Sequence, residues 1–107
     1  DEKIAKNVPM RAEQLREALI AINDKYQCFS DIRGRGLMIG AELSEAYQTK
    51  AGDISELARQ AGVLVLVAGP NVCRFLPPLS ITEAEMSEGL QRFEHALQQF
   101  IAANKPE

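Results

Sequence analysis

Apolar residues recur along the first quarter of the chain at the spacing of an amphipathic helix. The stripe steps by four, three, four, three and four residues through Val8, Ala12, Leu15, Leu19, Ile22 and Tyr26. Asn7 is a residue type that caps helices, and Pro9 is tolerated in a first turn. We therefore predict a helix from about residue 8 to about residue 26, capped by Asn7.

Two further stretches have the same helical periodicity. In the middle of the chain Ala51, Ile54, Leu57, Ala58 and Ala61 share a face. Asp53 and Glu56 are spaced as a capping box, and Gly62 suits the position just beyond the helix. Near the end the stripe consists of Met86, Leu90, Phe93, Leu97 and Phe100. Thr82 and Glu85 form another capping box, which predicts a last helix from about 82 to 102.

The stretches between these helices have the patterns of strands. Residues 28–33 are mixed and predict an edge strand. In residues 37–43 Leu37, Ile39, Ala41 and Leu43 alternate with outward positions, which indicates a half-buried strand. Gly40 lies within that strand, where a glycine marks a bulge or a close backbone neighbour. The Gly34-Arg35-Gly36 segment between the two strands predicts a hairpin turn.

Residues 63–79 contain the most unusual pattern. Five apolar residues in succession, 63–67, are typical of a strand buried on both faces. The Gly69-Pro70-Asn71 turn follows, and 72–76 form a second strand. The element order is thus α-β-β-α-β-β-α, which predicts an α+β, two-layer domain. Its small, largely antiparallel sheet has three or four strands with helices packed on it.

Arg74 raises the one chemical question in the sequence. Alternation places it on one strand face with Val72 and Leu76, while Cys73 and Phe75 occupy the other. A guanidinium remains charged, so it must reach water, pair with a carboxylate or receive a ligand. Its planar fork suits a substrate carboxylate, but an arginine pointing into solvent or paired within the fold would leave the same pattern.

Composition narrows the function classes. The 107 residues suffice for one domain, residues 1–107, and 46% hydrophobic with 25% charged residues are ordinary for a globular protein. A net charge of −3 argues against a nucleic-acid or anionic-membrane surface, and no apolar run is long enough to span a bilayer. The chain begins at Asp1 inside a helical pattern, which suggests a domain of a longer protein. We expect a cytoplasmic location, with Cys28 and Cys73 reduced and buried.

Other candidate motifs have simpler explanations. Arg33-Gly34-Arg35-Gly36 contains a G-x-G spacing, but a strand follows it where a phosphate-binding loop needs a helix N-terminus. His95 lies off the apolar stripe of the last helix, with no metal-binding partner one turn away. The clustered carboxylates Glu83, Glu85 and Glu88 suit a helix start. We therefore predict no metal site and no catalytic residue from these motifs.

Two longer stretches resemble a known enzyme family. Residues 32–43, IRGRGLMIGAEL, resemble the RGxGLMxGxEL stretch of the class III, pyridoxal-phosphate-dependent aminotransferases. Residues 61–66 and 71–79, AGVLVL and NVCRFLPPL, resemble their AGVLV and RFxPPL stretches. Within the family the chain looks most like the acetylornithine and succinylornithine aminotransferases of arginine metabolism. The resemblance covers essentially the whole chain.

The resemblance implies a role for this chain. It looks like the C-terminal small domain of a fold-type I, homodimeric aminotransferase that transfers the δ-amine of an N-acylornithine to 2-oxoglutarate. The resemblance places pyridoxal 5'-phosphate and its lysine in a large domain, and gives this chain no catalytic, cofactor-binding or metal-binding residue. Arg74 matches the arginine that binds the substrate α-carboxylate. The chain alone is then expected to be inactive.

Two alternatives remain open. The chain could be a free-standing regulatory module that binds an amino acid or another small carboxylate through Arg74. It could instead be a structural or oligomerisation domain in which Arg74 pairs internally. The second alternative predicts that an alanine at position 74 lowers stability without changing any response to ligand.

Overall fold

The computed structural model describes residues 2–35 and 37–104. Three α-helices, α1 (Glu2–Tyr26), α2 (Ala51–Gln60) and α3 (Glu83–Ala103), alternate with four strands, β1 (Phe29–Arg35), β2 (Met38–Leu43), β3 (Leu66–Val67) and β4 (Val72–Phe75). A short 3-10 turn, Glu45–Tyr47, precedes α2. The predicted order α-β-β-α-β-β-α is confirmed.

The four strands form one antiparallel sheet in the order β1-β2-β4-β3. Ile39, Ala41 and Leu43 of β2 are buried, whereas Met38 on the opposite face is exposed. The three helices bury their apolar stripes against the first of these faces, which we call the inner face. Within the described part of the chain no helix packs on the other, outer face. The α+β, two-layer prediction is therefore confirmed, with four strands.

Helix α1 differs from its prediction at the N-terminus. It begins at Glu2, so Asn7 lies inside the helix and is not its cap, and Pro9 lies well beyond the first turn. Good helix-forming residues upstream, such as Glu2 and Ala5, extend the helix past the apolar stripe. The Asn7 amide instead donates two hydrogen bonds of 2.9 Å, to the backbone oxygens of Leu79 and Ile81.

The run 63–67 is not the doubly buried strand that its composition predicts. Only Leu66 and Val67 are in a strand, β3, and it lies at the edge of the sheet. Val65 is buried, but Leu64 is 74% exposed and Leu66 41% exposed. An unbroken apolar run indicates burial but does not specify which part of the protein covers each face of the strand. Among the described residues, only one of the two faces is covered.

Besides the Asn7 cap, three further helix-end signals are predicted, and the structure confirms two of them. Thr82 Oγ1 accepts from the Glu85 amide at 3.1 Å and Glu85 Oε1 accepts from the Thr82 amide at 2.9 Å, a complete capping box for α3. Gly62 follows α2 with φ +89°, the left-handed conformation that favours glycine. The Asp53 box is wrong: α2 begins at Ala51, and its amide bonds to the oxygen of Pro70.

The hairpin between β1 and β2 is tighter than predicted. Gly34 and Arg35 pair with Ile39 and Met38, so they belong to β1 and not to the turn; Gly36 lies outside the described residues. The edge position of β1 is confirmed. The irregularity in this pair falls between Phe29 and Asp31 and not at Gly40.

None of the helices in 2–35 and 37–104 combines the length and apolarity needed to cross a membrane. Cys28 and Cys73 are free and buried, as predicted. Burial raises the pKa of Cys28 to about 11. Burial and then the nearby Cys28 thiol raise the pKa of Cys73 to about 12. Both sulfurs are therefore protonated near neutrality and unsuited to nucleophilic chemistry.

Candidate functional site

Strand β4 has two different faces, as its alternation predicts. Cys73 is fully buried, and the Phe75 ring meets the Phe93 ring of α3 edge-on at 4.9 Å between ring centroids. Arg74, between them, is exposed on the outer face. Two buried neighbours and ladder bonds on both sides hold the backbone of Arg74 in place. Such packing supplies the rigidity that a binding residue needs.

Arg74 makes no salt bridge or side-chain hydrogen bond with the residues that the structure describes. Arg33, Arg59 and Arg92, by contrast, each pair with a carboxylate. Of the three outcomes open to a guanidinium at this position, the internal ion pair is thus not formed in the described chain. The five N–H donors of Arg74 are available to water or to a ligand.

The neighbours of Arg74 differ on its two sides. Gly40 of β2 is directly opposite it on one side, and Leu66 of β3 on the other. Along β4 itself Val72 shares its face, and Leu76 follows directly after the end of the strand. Because Leu66 and Leu76 are 41% and 55% exposed, the guanidinium projects from an uncovered apolar surface. Covering that surface would lower the local dielectric and strengthen any charge interaction of Arg74.

Arg33 lies on the same outer face, on the far side of Gly40 from Arg74. Its guanidinium bonds to Asp31 at 2.7 Å and to Glu42 at 3.3 Å. Hydrogen bonding and charge from Asp31, with a contribution from Glu42, raise the pKa of Arg33. These two carboxylates offset its charge. Since a strand, β2, also follows the glycine-rich segment, the structure agrees with rejecting a phosphate loop there.

The remaining candidates have structural explanations. Glu85 belongs to the capping box, and Glu88 pairs with Arg92 at 2.9 Å. His95 is exposed on α3, as predicted. No group of three or more metal-binding side chains occurs among the residues described. The structure therefore does not gather these residues around Arg74.

A Schiff base with a cofactor needs a lysine with a free amine, so the partners of the lysine side chains are relevant here. Of the lysines, Lys25 and Lys50 have described side chains. Lys25 pairs with Glu94 at 3.4 Å, and Lys50 donates to the side-chain oxygen of Asn104 at 2.9 Å. Both lie away from the outer face. Neither of these two lysines therefore presents an unpaired amine beside Arg74.

A groove of about 410 Å³ opens beside the site. Its walls come from α1, α3 and the segment after β4, and include Leu15, Leu76, Ile81, Met86 and Leu90. Arg74 is not among its lining residues. The groove and Arg74 are therefore separate features, although Phe75 and Leu76, the two residues that follow Arg74, both line the groove.

Sequence reasoning identified Arg74 but missed two residues that define its surroundings. Gly40 lies beside Arg74 only because β2 and β4 pair, which separation along the chain does not reveal. The available signal was a glycine inside a strand. The sequence predicts Asn7 to be a helix cap, whereas its amide donates hydrogen bonds to two backbone oxygens of the segment that follows Leu76. Its signal, an amide residue six positions into a charged helical segment, is weak.

The chain is similar to known proteins in both sequence and structure. Residues 1–97 match the family model described as aminotransferase class-III. The chain is 45% identical over 100 residues to the acetylornithine aminotransferase of Xanthomonas campestris pv. campestris, covering 94% of this chain and 24% of that protein. It is 44% identical over 94 residues to the succinylornithine transaminase of Photorhabdus laumondii subsp. laumondii, covering 88% of this chain and 23% of that protein.

The fold is also similar to that of solved enzymes. The crystal structure of N-acetylornithine aminotransferase from Stenotrophomonas maltophilia K279a superposes with a TM-score of 0.92 at 46% identity. That match covers 96% of this chain and 28% of the other. The chain thus spans about a quarter of the length of the relatives that it matches.

Proposed function

Because the chain belongs to the class-III aminotransferases, we propose that it is the C-terminal small domain of an acylornithine-type aminotransferase. The complete enzyme transfers the δ-amino group of an N-acetyl- or N-succinylornithine to 2-oxoglutarate. The similarity to acetylornithine and succinylornithine enzymes supports this substrate class. Since the chain spans about a quarter of those relatives, the 107 residues alone are expected to be inactive.

The observation that carries the proposal is the guanidinium of Arg74, which lies on a rigid strand and pairs with none of the side chains that the structure describes. In the complete enzyme Arg74 binds the α-carboxylate of the amino-acid or keto-acid substrate through two parallel N–H···O bonds. A planar fork fixes the orientation of the carboxylate as well as its position. Arg74 therefore determines which bond at the reacting carbon faces the cofactor, and it does not itself take part in proton transfer.

Pyridoxal 5'-phosphate supplies the electron sink of such reactions when it is bound. In this proposal a large domain of the same polypeptide holds the cofactor and its lysine. The exposed apolar residues around Arg74, Leu64, Leu66 and Leu76, then pack against that domain. Their burial would exclude water from the carboxylate contact and strengthen it. The complete enzyme is proposed to be a cytoplasmic homodimer.

A substitution at Arg74 in the full-length enzyme tests the proposal. A hydrogen bond to a charged group contributes about 1.5–3 kcal/mol, so we expect Arg74→Gln to lower kcat/KM by about 10- to 150-fold. Arg74→Lys keeps the charge but loses the fork, and should recover only part of the activity. Thermal stability should change little, because no described side chain depends on Arg74.

Arg59→Gln is the matched control. Arg59 is an exposed arginine on α2, on the helical side of the sheet, where it pairs with Glu56. It should leave kcat/KM unchanged. An Arg74→Gln enzyme with the kinetics of the Arg59→Gln control would contradict the proposed role. A large loss of stability with unchanged kinetics would instead support a structural role for Arg74.

A further inference from the structure

Gly40 of β2 lies directly opposite Arg74 of β4 in the sheet. The register places Arg33, Gly40, Arg74 and Leu66 in one row across the four strands. Side chains directly opposite each other in an antiparallel pair have Cβ atoms about 4.5–5.5 Å apart. Any side chain at position 40 would therefore stand next to the stem of Arg74 on the outer face.

The described chain gives no steric reason for a glycine at position 40. A Cβ added there would lie 3.5 Å from Val72 Cγ1 and 3.8 Å from the Arg33 oxygen, both ordinary contacts. Its φ is not in the left-handed region. Gly34 is different: an added Cβ would overlap the Met38 oxygen and lie 2.7 Å from Ile39 Cα. A strand glycine loses more backbone freedom on folding and packs nothing, so its presence at 40 needs another reason.

Three strand positions adjoin Arg74 on the outer face. Val72 lies on this face along β4, and Leu66 stands across β3; each carries an apolar side chain. Gly40, across β2, carries none. A carboxylate that meets a guanidinium fork approaches in the plane of the guanidinium and needs space at its edge. Of these three positions Gly40 alone has no side chain, so it leaves the most room beside the Arg74 stem.

We propose that Gly40 is a specificity-determining residue for the carboxylate that Arg74 binds. The inference rests on the proposed function of Arg74 and adds the direction from which the ligand arrives. The ligand carboxylate and its adjacent carbon lie above Gly40, between Arg74 and Arg33. Arg33 is paired with Asp31 and Glu42, so it bounds this space without competing for the carboxylate.

The test is a series of increasing side-chain size at position 40 in the full-length enzyme. Crowding by one to several carbon atoms predicts an increase in KM for the carboxylate substrate of about tenfold for Gly40→Val and less for Gly40→Ala. The value of kcat at saturating substrate should change less than KM. The melting temperature should be maintained, because both side chains fit the strand and valine favours it.

Gly52→Ala is the matched control, since a Cβ at this exposed α2 position meets nothing within 4 Å. It should leave KM unchanged. The Gly40→Val change is also combined with Arg74→Gln. If Gly40 acts through access to Arg74, the valine should raise KM much less once the guanidinium is absent, because the two changes affect one contact.

The outcomes separate the two proposals. If Gly40→Val leaves KM within twofold of wild type while Arg74→Gln lowers kcat/KM strongly, the Gly40 inference is wrong and the role of Arg74 stands. If Gly40→Val lowers the melting temperature and kcat without raising KM, the glycine is structural and the inference is also wrong. If Arg74→Gln itself has no kinetic effect, the proposed function fails, and the Gly40 inference fails with it.

Discussion

Replacing Asn7 by serine distinguishes a helix cap from a tether between two elements. Serine and asparagine are nearly equivalent at an N-cap, so a capping role predicts almost no change in stability. In the structure, however, Asn7 lies inside α1 and its amide reaches the backbone oxygens of Leu79 and Ile81 at 2.9 Å each. The shorter serine side chain cannot bridge both oxygens. We therefore expect Asn7→Ser to destabilise the domain.

The magnitude follows from the two lost bonds. A neutral hydrogen bond contributes about 0.5–1.5 kcal/mol net, so two contribute about 1–3 kcal/mol. The bond to Leu79 is exposed, and water can replace it; the bond to Ile81 is half-buried, and its oxygen is harder to satisfy. We therefore expect a loss of about 1.5 kcal/mol. Asn7→Ala should lose less, since alanine gains about 0.5 kcal/mol in helix propensity.

Urea unfolding measured by circular dichroism is a suitable assay. For a domain of this size, with a urea slope of about 1.5 kcal/mol per molar, the midpoint should fall by about 1 M. Arg16→Ala, at an exposed position of the same helix, is the control and should shift the midpoint little. If the urea midpoint of Asn7→Ser equals that of wild type, the hydrogen bonds of Asn7 to Leu79 and Ile81 do not stabilise the domain, and the result agrees with a capping role instead.

Four further predictions concern stability and reactivity. Thr82→Ala removes the cap of α3 and should lower the free energy of unfolding by about 1 kcal/mol in urea titrations. Hydrogen bonds from Thr82 lower the pKa of Glu85. The stabilisation from this carboxylate is therefore present above its ordinary pKa and is lost as pH falls through the lowered value. The free energy of unfolding of Glu85→Gln should accordingly fall less between pH 6 and pH 3 than that of wild type. A double-mutant cycle of Phe75→Leu and Phe93→Leu should give a coupling of about 0.5–1.5 kcal/mol, and additive effects would exclude a specific ring contact. The pKa of Cys73 is raised to about 12. The stability contributed by its protonated thiol is therefore fully present below the ordinary pKa of 9.0 and is lost as pH rises towards 12. Iodoacetamide should label the buried thiol of the native chain slowly at pH 8, and rapid labelling would contradict its burial.

The positions of helices and strands could be predicted from local patterns. The stripes that contain Leu19 and Phe93 specify which helix faces are buried, and both residues are in the core. Alternation through Ile39 and Cys73 specifies strand faces because successive side chains point in opposite directions. The α3 cap was predictable because Thr82 and Glu85 satisfy backbone groups within one turn.

Predictions that depend on a distant partner were less successful. The run 63–67 is apolar enough for a doubly buried strand, yet Leu64 is exposed because nothing in the described chain covers it. Asn7 has the composition of a cap, but its partners lie more than 70 residues away along the chain. Asp53 and Glu56 have capping-box spacing, but the N-cap of α2 is Lys50, three residues earlier, and the Ala51 amide bonds to the oxygen of Pro70.

The sequence by itself determined the fold class of this protein, the faces of its elements and the exceptional character of Arg74. Periodicity and capping are local, and a charge between apolar strand residues is visible without coordinates. Only the tertiary structure decided that Arg74 has no partner among the residues it describes, that Leu66 stands on one side of it and that Gly40 stands on the other. Strand pairing decides these neighbours, because it joins residues that are far apart along the chain.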